Sequence, residues 1–245
     1  MNFNFTEEQL QFKNTIKSFL ADECSTDSIR DGWKAKEPFN HDRWNRIVDL
    51  GVLSSNLSEK DGGFGIDQVA LSLMIEEMGY AALPEPVAEQ IFLINDLMPL
   101  LPDSIKNEIN NTYQTGSNFI SVAHPLSPNP LFLNNAAGLL LFNEDSYQFA
   151  LKEDIDFVPL VSNDPSRVLS KINSIQKSVS SSKEFEKINT AVAARGALMT
   201  GCLLIGLAQK MLDLSSLYAL DRTQFGKPIG SFQAIKHMLA DVAVK

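Results

Sequence analysis

The sequence predicts an α+β protein in three parts: a helical N-terminal domain over residues 1–117, a small β domain over 118–178, and the start of a C-terminal helical bundle over 179–245. Three observations lead there. Apolar residues recur at helical spacing through the first part. The middle breaks into short runs rich in β-formers, and no proline interrupts the chain between Ser182 and Pro228.

In the first part, Thr6 followed by Gln9 forms a capping box, with Phe5 and Leu10 placed as a hydrophobic staple. Phe12, Ile16, Phe19 and Leu20 then give one buried helical face. Asn40 is the N-cap of a second helix carrying Trp44, Ile47 and Val48, which stops at Gly51. A third helix follows the loop EKDGGFG, with Ile66, Val69, Leu73 and Met78 as its stripe, and Pro84 and Pro86 end the pattern before an apolar helix resumes near Val87. DGGFG lacks the spacing and the lysine of a phosphate loop and reads as a plain turn.

In the middle, FISVA, GLLLF, YQFAL and FVPLV read as strands, and NEDS as the hairpin connection between the second and third. So brief a sheet region is expected to lean on the helices either side. In the third part, the stretch from Glu184 to Arg222 suits one helix of roughly 55 Å at about 1.5 Å per residue. Its alanines and Gly196, Gly201 and Gly206 make a small-residue surface, which admits either tight helix packing or the close approach of a flat ligand. A last helix carries Phe232, Ile235, Leu239 and Val242 on one face, with Ser231 as N-cap.

The 245 residues carry a net charge of −9, which argues against a general nucleic-acid or anionic-membrane surface and leaves room for one local basic site. Two cysteines, Cys24 and Cys202, lie far apart with no second ligand near either, as structural thiols in a reducing compartment do. His41, His124 and His237 have no ligand spacing, so no metal is expected. Glu76 and Glu77 are adjacent on a helix and read as solvent-facing. No secretory signal is readable at the start, and the apolar run 197–208 is too short for a membrane span, so the expected location is cytoplasmic.

The turn TQFGKPIG admits two readings. In the first, Gly226, Pro228 and Gly230 simply reverse the chain, with Arg222 complementing a helix C-terminus. Equally, Arg222 offers a planar fork for a phosphate, Phe225 an aromatic face, and Gln224 and Gln233 neutral amides, as a dinucleotide requires.

At this point a resemblance becomes specific. YALDRTQFGKPIGSFQAIKHMLADVAVK, with its pattern R-x-Q-F-G-x-P-I-x-x-F-Q, resembles the segment that opens the C-terminal domain of the acyl-CoA dehydrogenases. FTEEQLQFKNTIKSFLADE, the spacing from Trp44 to Gly51, EKDGGFG and IEEMGYAALPEP resemble that family's N-terminal domain, so the similarity covers residues 1–98 and 182–245. The resemblance implies a barrel-like middle domain between helical domains, bound FAD, and oxidation of an acyl-CoA thioester to the 2-enoyl-CoA in fatty-acid or steroid breakdown. It also implies electron-transfer flavoprotein as acceptor, and homo- or hetero-oligomers in which this turn reaches a neighbouring subunit's flavin. Carried over, Arg222 contacts the pyrophosphate, Gln224 and Phe225 lie against the dinucleotide, and Gln233 hydrogen-bonds it.

Two departures accompany it. The family's T-E-P-x-x-G-S-D and W-x-T/S segments are absent, and the corresponding region reads HPLSPNPLFLNN. The position where some members carry the basic glutamate lands near Arg195 and Gly196; most members carry it beyond the equivalent of Lys245, so no catalytic base is identified. Three roles therefore stand open: a dehydrogenase subunit, a non-catalytic paralogous subunit that completes a partner's FAD site, or a helical structural protein with no cofactor. The uncovered stripe of the last helix leads to the expectation of an oligomer.

Overall fold

The computed structural model describes residues 4–35, 37–113 and 119–245. The expected boundary at 117/118 lies outside the described residues. Helix α1 (Glu7–Glu23) starts at the capping box: Thr6 Oγ1 accepts from Gln9 N at 3.2 Å, and Gln9 Oε1 accepts from Thr6 N at 2.9 Å. Phe5 and Leu10 stay largely exposed. Helix α2 (Thr26–Lys34) is capped by Ser25, and α3 (His41–Asp49) by the Asn40 side chain, ending at Gly51 with a φ of 70°.

Helix α4 (Gln68–Tyr80) departs from the expected single stripe. Val69 is 44% exposed, while Ala70, Leu71, Leu73, Met74, Ile75 and Met78 are all buried, because α1 packs on one side of α4 and the long helix α7 on another. Glu77 is likewise buried rather than solvent-facing, its carboxylate 3.3 Å from Lys13 Nζ. After α4 come α5 (Val87–Phe92), continued by a π-helical turn, and α6 (Asp103–Tyr113).

A four-stranded sheet has the order β1-β2-β3-β6, from β1 (Ile120–Ala123), β2 (Gly138–Phe142), β3 (Tyr147–Leu151) and β6 (Val179–Ser181). β1 and β2 are parallel, and β2 and β3 form the antiparallel hairpin closed by Asn143 N to Ser146 O at 2.8 Å. β4 (Ile155–Leu160) and β5 (Leu169–Ile175) pair separately. The sheet leans on the helices as its size requires: Phe119 stacks on Phe39 at 5.2 Å and packs against Trp44 at 5.3 Å. Ile105 and Ile109 of α6 and Ile188 of α7 cover Leu140 and Phe149 on the sheet.

A buried ion pair fastens the segment after α4. Arg43 donates from Nε and Nη2 to both oxygens of Glu85 at 2.8 and 2.7 Å, and Arg43 Nη1 donates to Glu23 O at 3.1 Å. Burial beside these carboxylates pushes the Cys24 thiol up to about 11 from 9.0, with only Arg43 opposing. At pH 8 this leaves about one thiolate in a thousand in the folded chain, against about one in ten unfolded. Iodoacetamide at pH 8 is therefore expected to spare Cys24 until denaturant unfolds the chain; equal labelling rates in both states would refute the burial.

Helix α7 (Phe185–Asp221) is a single helix of 37 residues running beside α4 in the same direction. At the crossing, a Cβ on Gly206 would stand 1.9 Å from the Glu76 carbonyl oxygen, and one on Gly79 would stand 2.2 Å from that of Leu203. The two backbones touch where side chains are missing on both sides. Gly196 and Gly201, by contrast, face open space. The small-residue surface thus serves tight packing at Gly206 and leaves open space at Gly196 and Gly201. By length and composition alone α7 could cross a membrane, which the shorter apolar run did not suggest. Its exposed apolar residues include Leu204, Ile205, Met211, Leu214 and Leu217.

Helix α8 (Gln233–Val244) follows a 3-10 turn (Ile229–Ser231), so its N-cap is Phe232 and not Ser231, and no side chain caps it. No residue of α8 is fully buried. Gly206→Ala is expected to destabilise the chain by about 1–3 kcal/mol or more through overpacking. Gly201→Ala is expected to be neutral or to stabilise by up to about 1 kcal/mol through helix propensity. Urea unfolding of the two variants compares them directly; similar midpoints would contradict the crossing.

Candidate functional site

The sequence-predicted groups lie together on a hairpin that projects from the end of α7. β7 (Thr223–Gln224) and β8 (Lys227–Pro228) pair through Thr223 with Pro228 and Gln224 with Lys227, leaving Phe225 and Gly226 as a two-residue loop. Both loop residues have positive φ, 51° and 76°, as the strand twist of a tight hairpin demands. Ile229 N donates to Arg222 O at 2.8 Å and closes the base. Glycine or asparagine suits the first loop position best, and an aromatic residue there is strained. The side chain held in that strained place is 92% exposed.

Arg222, Gln224 and Gln233 are exposed too. None of their side chains makes a hydrogen bond or ion pair among the described residues. Around them the turn holds aromatic and cationic groups: Phe232 meets Phe225 edge-on at 6.2 Å, and Lys227 Nζ lies 4.4 Å from the Phe232 ring centre. Lys227 adds a second positive charge to Arg222 on a chain of net charge −9. An anion with a flat ring system fits this donor set, and no hydrogen bond or ion pair among the described residues occupies the side chains of Arg222, Gln224 or Gln233.

A second feature had only a partial signal in the sequence. A cavity of about 550 Å³ lies between α5, β1, the segment 124–131 and α7. Its walls are mainly apolar, from Phe92, Ile120, Leu131, Val192 and Met199, and Gly196 and Gly201 line it where a side chain would intrude. HPLSPNPL, which stands where the family's missing segment is expected, still forms one wall. His124 is a satisfied wall residue: Nδ1 accepts from Leu126 N at 3.1 Å, so Nε2 carries the proton and donates to Asn189 Oδ1 at 2.8 Å. The backbone N–H groups of His124 and Ser127 are also spent, each on the other's carbonyl.

The region of Arg195 and Gly196 divides between two faces. Gly196 lines the cavity, while Arg195 turns to Gln68 Oε1 at 3.0 Å and stands 3.9 Å from Asp96. Burial raises the Asp96 carboxyl, opposed by the Arg195 charge. Glu89 is the only carboxylate lining the cavity among the described residues. The turn lies at the other end of α7. From Leu204 at the cavity rim to Arg222 the helix rises roughly 27 Å at about 1.5 Å per residue.

The chain thus combines helical regions flanking a small sheet, an apolar cavity beside α7 and a projecting basic hairpin at the other end of that helix. The family models for the acyl-CoA dehydrogenase N-terminal domain and C-terminal domain match residues 6–95 and 186–245. Acyl-CoA dehydrogenase IpdE2 of Mycobacterium tuberculosis is 24% identical over 241 residues, covering 97% of this chain and 72% of the relative. The ChsE4-ChsE5 complex from Mycobacterium tuberculosis superposes with a TM-score of 0.83 at 18% identity, over 100% of this chain and 75% of that one. PigA with FAD and proline superposes at 0.76 and 17% identity, over 100% and 76%. The chain belongs to the acyl-CoA dehydrogenase family.

With no side-chain partner among the described residues, Arg222 contributes little to folding. Arg222→Ala is expected to leave the thermal unfolding midpoint of the cofactor-free protein unchanged, as scanning calorimetry would show. A drop of several degrees would make Arg222 a structural residue.

Proposed function

We propose that this chain is a subunit of an FAD-dependent acyl-CoA dehydrogenase whose turn, Arg222 to Gln233, completes a flavin site in a neighbouring subunit. The cofactor is FAD. The separation along α7 carries the reading. If the flavin ring reached this chain's cavity, its pyrophosphate could not lie roughly 27 Å away at the same chain's turn. One dinucleotide engaging both features draws them from two subunits.

When bound, FAD accepts the β-hydrogen of the acyl thioester as a hydride. The chain's own residues bind and orient. Arg222 supplies a fork for two phosphate oxygens. Phe225 offers its face to a ring, and Gln224 and Gln233 hydrogen-bond without adding charge. The apolar cavity walls exclude water from the acyl group. Removal of the α-proton needs a carboxylate, and the one that lines the cavity, Glu89, is held by Arg167 at 2.6 Å.

That last observation favours a second reading, in which this subunit is non-catalytic and the base acts in a partner. The used backbone donors of the 124–127 wall support it as well, since they leave little for a flavin ring at this chain's own cavity. The partner in both readings is another acyl-CoA dehydrogenase-like chain, the same or different. Solved structures of similar fold include the ChsE4-ChsE5 complex, a pairing of unlike chains.

The test is an FAD titration of the assembled protein, with any co-encoded homologue present. Arg222→Ala should weaken FAD binding roughly ten- to a hundredfold, the loss of a charge-assisted bond of about 1.5–3 kcal/mol. Arg222→Lys should recover part of it. Unaltered affinity in Arg222→Ala would remove the flavin role from the turn. Turnover retained by a mixture in which only the partner carries an intact base would select the second reading.

A further inference from the structure

We infer that the cavity selects an acyl group bearing a hydroxyl, or another hydrogen-bond donor, on its tail, and that Glu89 is the residue that reads it. This rests on the proposed acyl-CoA reading and names the substrate class within it. Four observations bear on Glu89. It sits on α5 among Val87, Ala88, Gln90, Ile91 and Phe92, all buried, yet its own side chain keeps 22% exposure and lines the cavity. Among the described residues it is the only acid there. Its Oε1 accepts from Arg167 Nη2 at 2.6 Å, which fixes the carboxylate's orientation and partly neutralises it. Its Oε2 accepts no hydrogen bond among the described residues.

Three other polar side chains of the wall are already engaged. Gln90 exchanges both of its hydrogen bonds with the Ile120 backbone, at 2.7 and 3.1 Å, and Ser121 Oγ donates to Leu131 O at 2.6 Å. His124 is engaged on both ring nitrogens. Ser127, Asn129 and Thr200 also line the cavity, but the open carboxylate oxygen of Glu89 is its one charged acceptor among the described residues. A plain alkyl tail strips water from that oxygen and returns nothing, whereas a hydroxyl donates to it. Sites with a buried polar group discriminate strongly against ligands that leave it unpaired. The volume of about 550 Å³ is that of a site for a sizeable organic group.

The experiment measures binding by calorimetry to the FAD-loaded assembly. The probes are saturated acyl-CoAs from hexanoyl to decanoyl, each with and without a terminal hydroxyl, so that length scans the reach to Glu89. For at least one length the hydroxylated form should bind about ten- to a hundredfold more tightly. Glu89→Leu, of similar size and with no hydrogen-bonding head, should abolish most of that preference. Equal binding of the paired probes at every length overturns the inference, and the wild-type comparison needs no variant to show it. Loss of all acyl-CoA binding also overturns it. The FAD titration of Arg222 variants reports separately on the flavin reading, so failure here with normal FAD binding leaves that reading standing.

Discussion

The contact on which the rest depends is the meeting of two backbones at Gly79 and Gly206. Two helices normally stand 8–10 Å apart, held off by their side chains. Here Gly206 lies against the Glu76 carbonyl and Gly79 against that of Leu203, so α4 and α7 close together and run on as a pair. Tyr80 continues the contact, donating to Asp213 Oδ2 at 2.9 Å, and Lys210 Nζ sits 4.7 Å from the Tyr80 ring centre. With its middle locked, α7 is a rigid rod. One end walls the cavity and the other carries the hairpin, and the separation between them follows from helix geometry alone. A kink or a slip by one turn, about 5.4 Å, would misplace both features together.

Much of this was legible in the sequence where a local rule acted alone. The Thr6 capping box, the Asn40 cap, the NEDS hairpin and the length of α7 each depend on neighbours in the chain, and each formed. The misreadings occur where tertiary packing overrode a local rule. Val69 belongs to a helical stripe, but α4 is flanked by α1 and α7, and the buried faces rotate toward them. Glu77 is buried because Lys13 comes from another helix to meet it. Ser231 lost its capping role when the turn tightened to a 3-10 helix. β5, with the sequence LSKINSI, lacks the apolar alternation of a half-buried strand, since it sits at the edge of a two-stranded sheet and leaves most of its residues partly exposed.

The candidate site shows the same division. The turn was legible because all its groups fall within one short segment. The cavity draws on three segments far apart in sequence and is built from apolar and small residues, which look like any core. Its one trace was the spacing of Ala193, Gly196, Ala197 and Gly201 along one helical face. That spacing alone could not separate the glycine that packs, Gly206, from the two that leave room. Glu89 carried no signal at all: beside Pro86 and Gln90 it reads as an ordinary helix residue, and only its place on an otherwise apolar wall distinguishes it.

The hairpin and the apolar flank of α7 belong to one physical problem. Leu214, Leu217 and Leu220 lie within two turns of the Phe225 loop and are all more than half exposed. Under the proposed function, a subunit that covers them would also bring its flavin to Arg222, and a flavin at Arg222 would hold that subunit in place. Under the proposed function, association and cofactor binding are then linked equilibria, each strengthening the other by the same factor. The strain at Phe225 fits this arrangement. A glycine there would relax the isolated chain and lose the aromatic face, whereas under the proposed function the aromatic residue would return its cost when a ring from the neighbouring site lay against it.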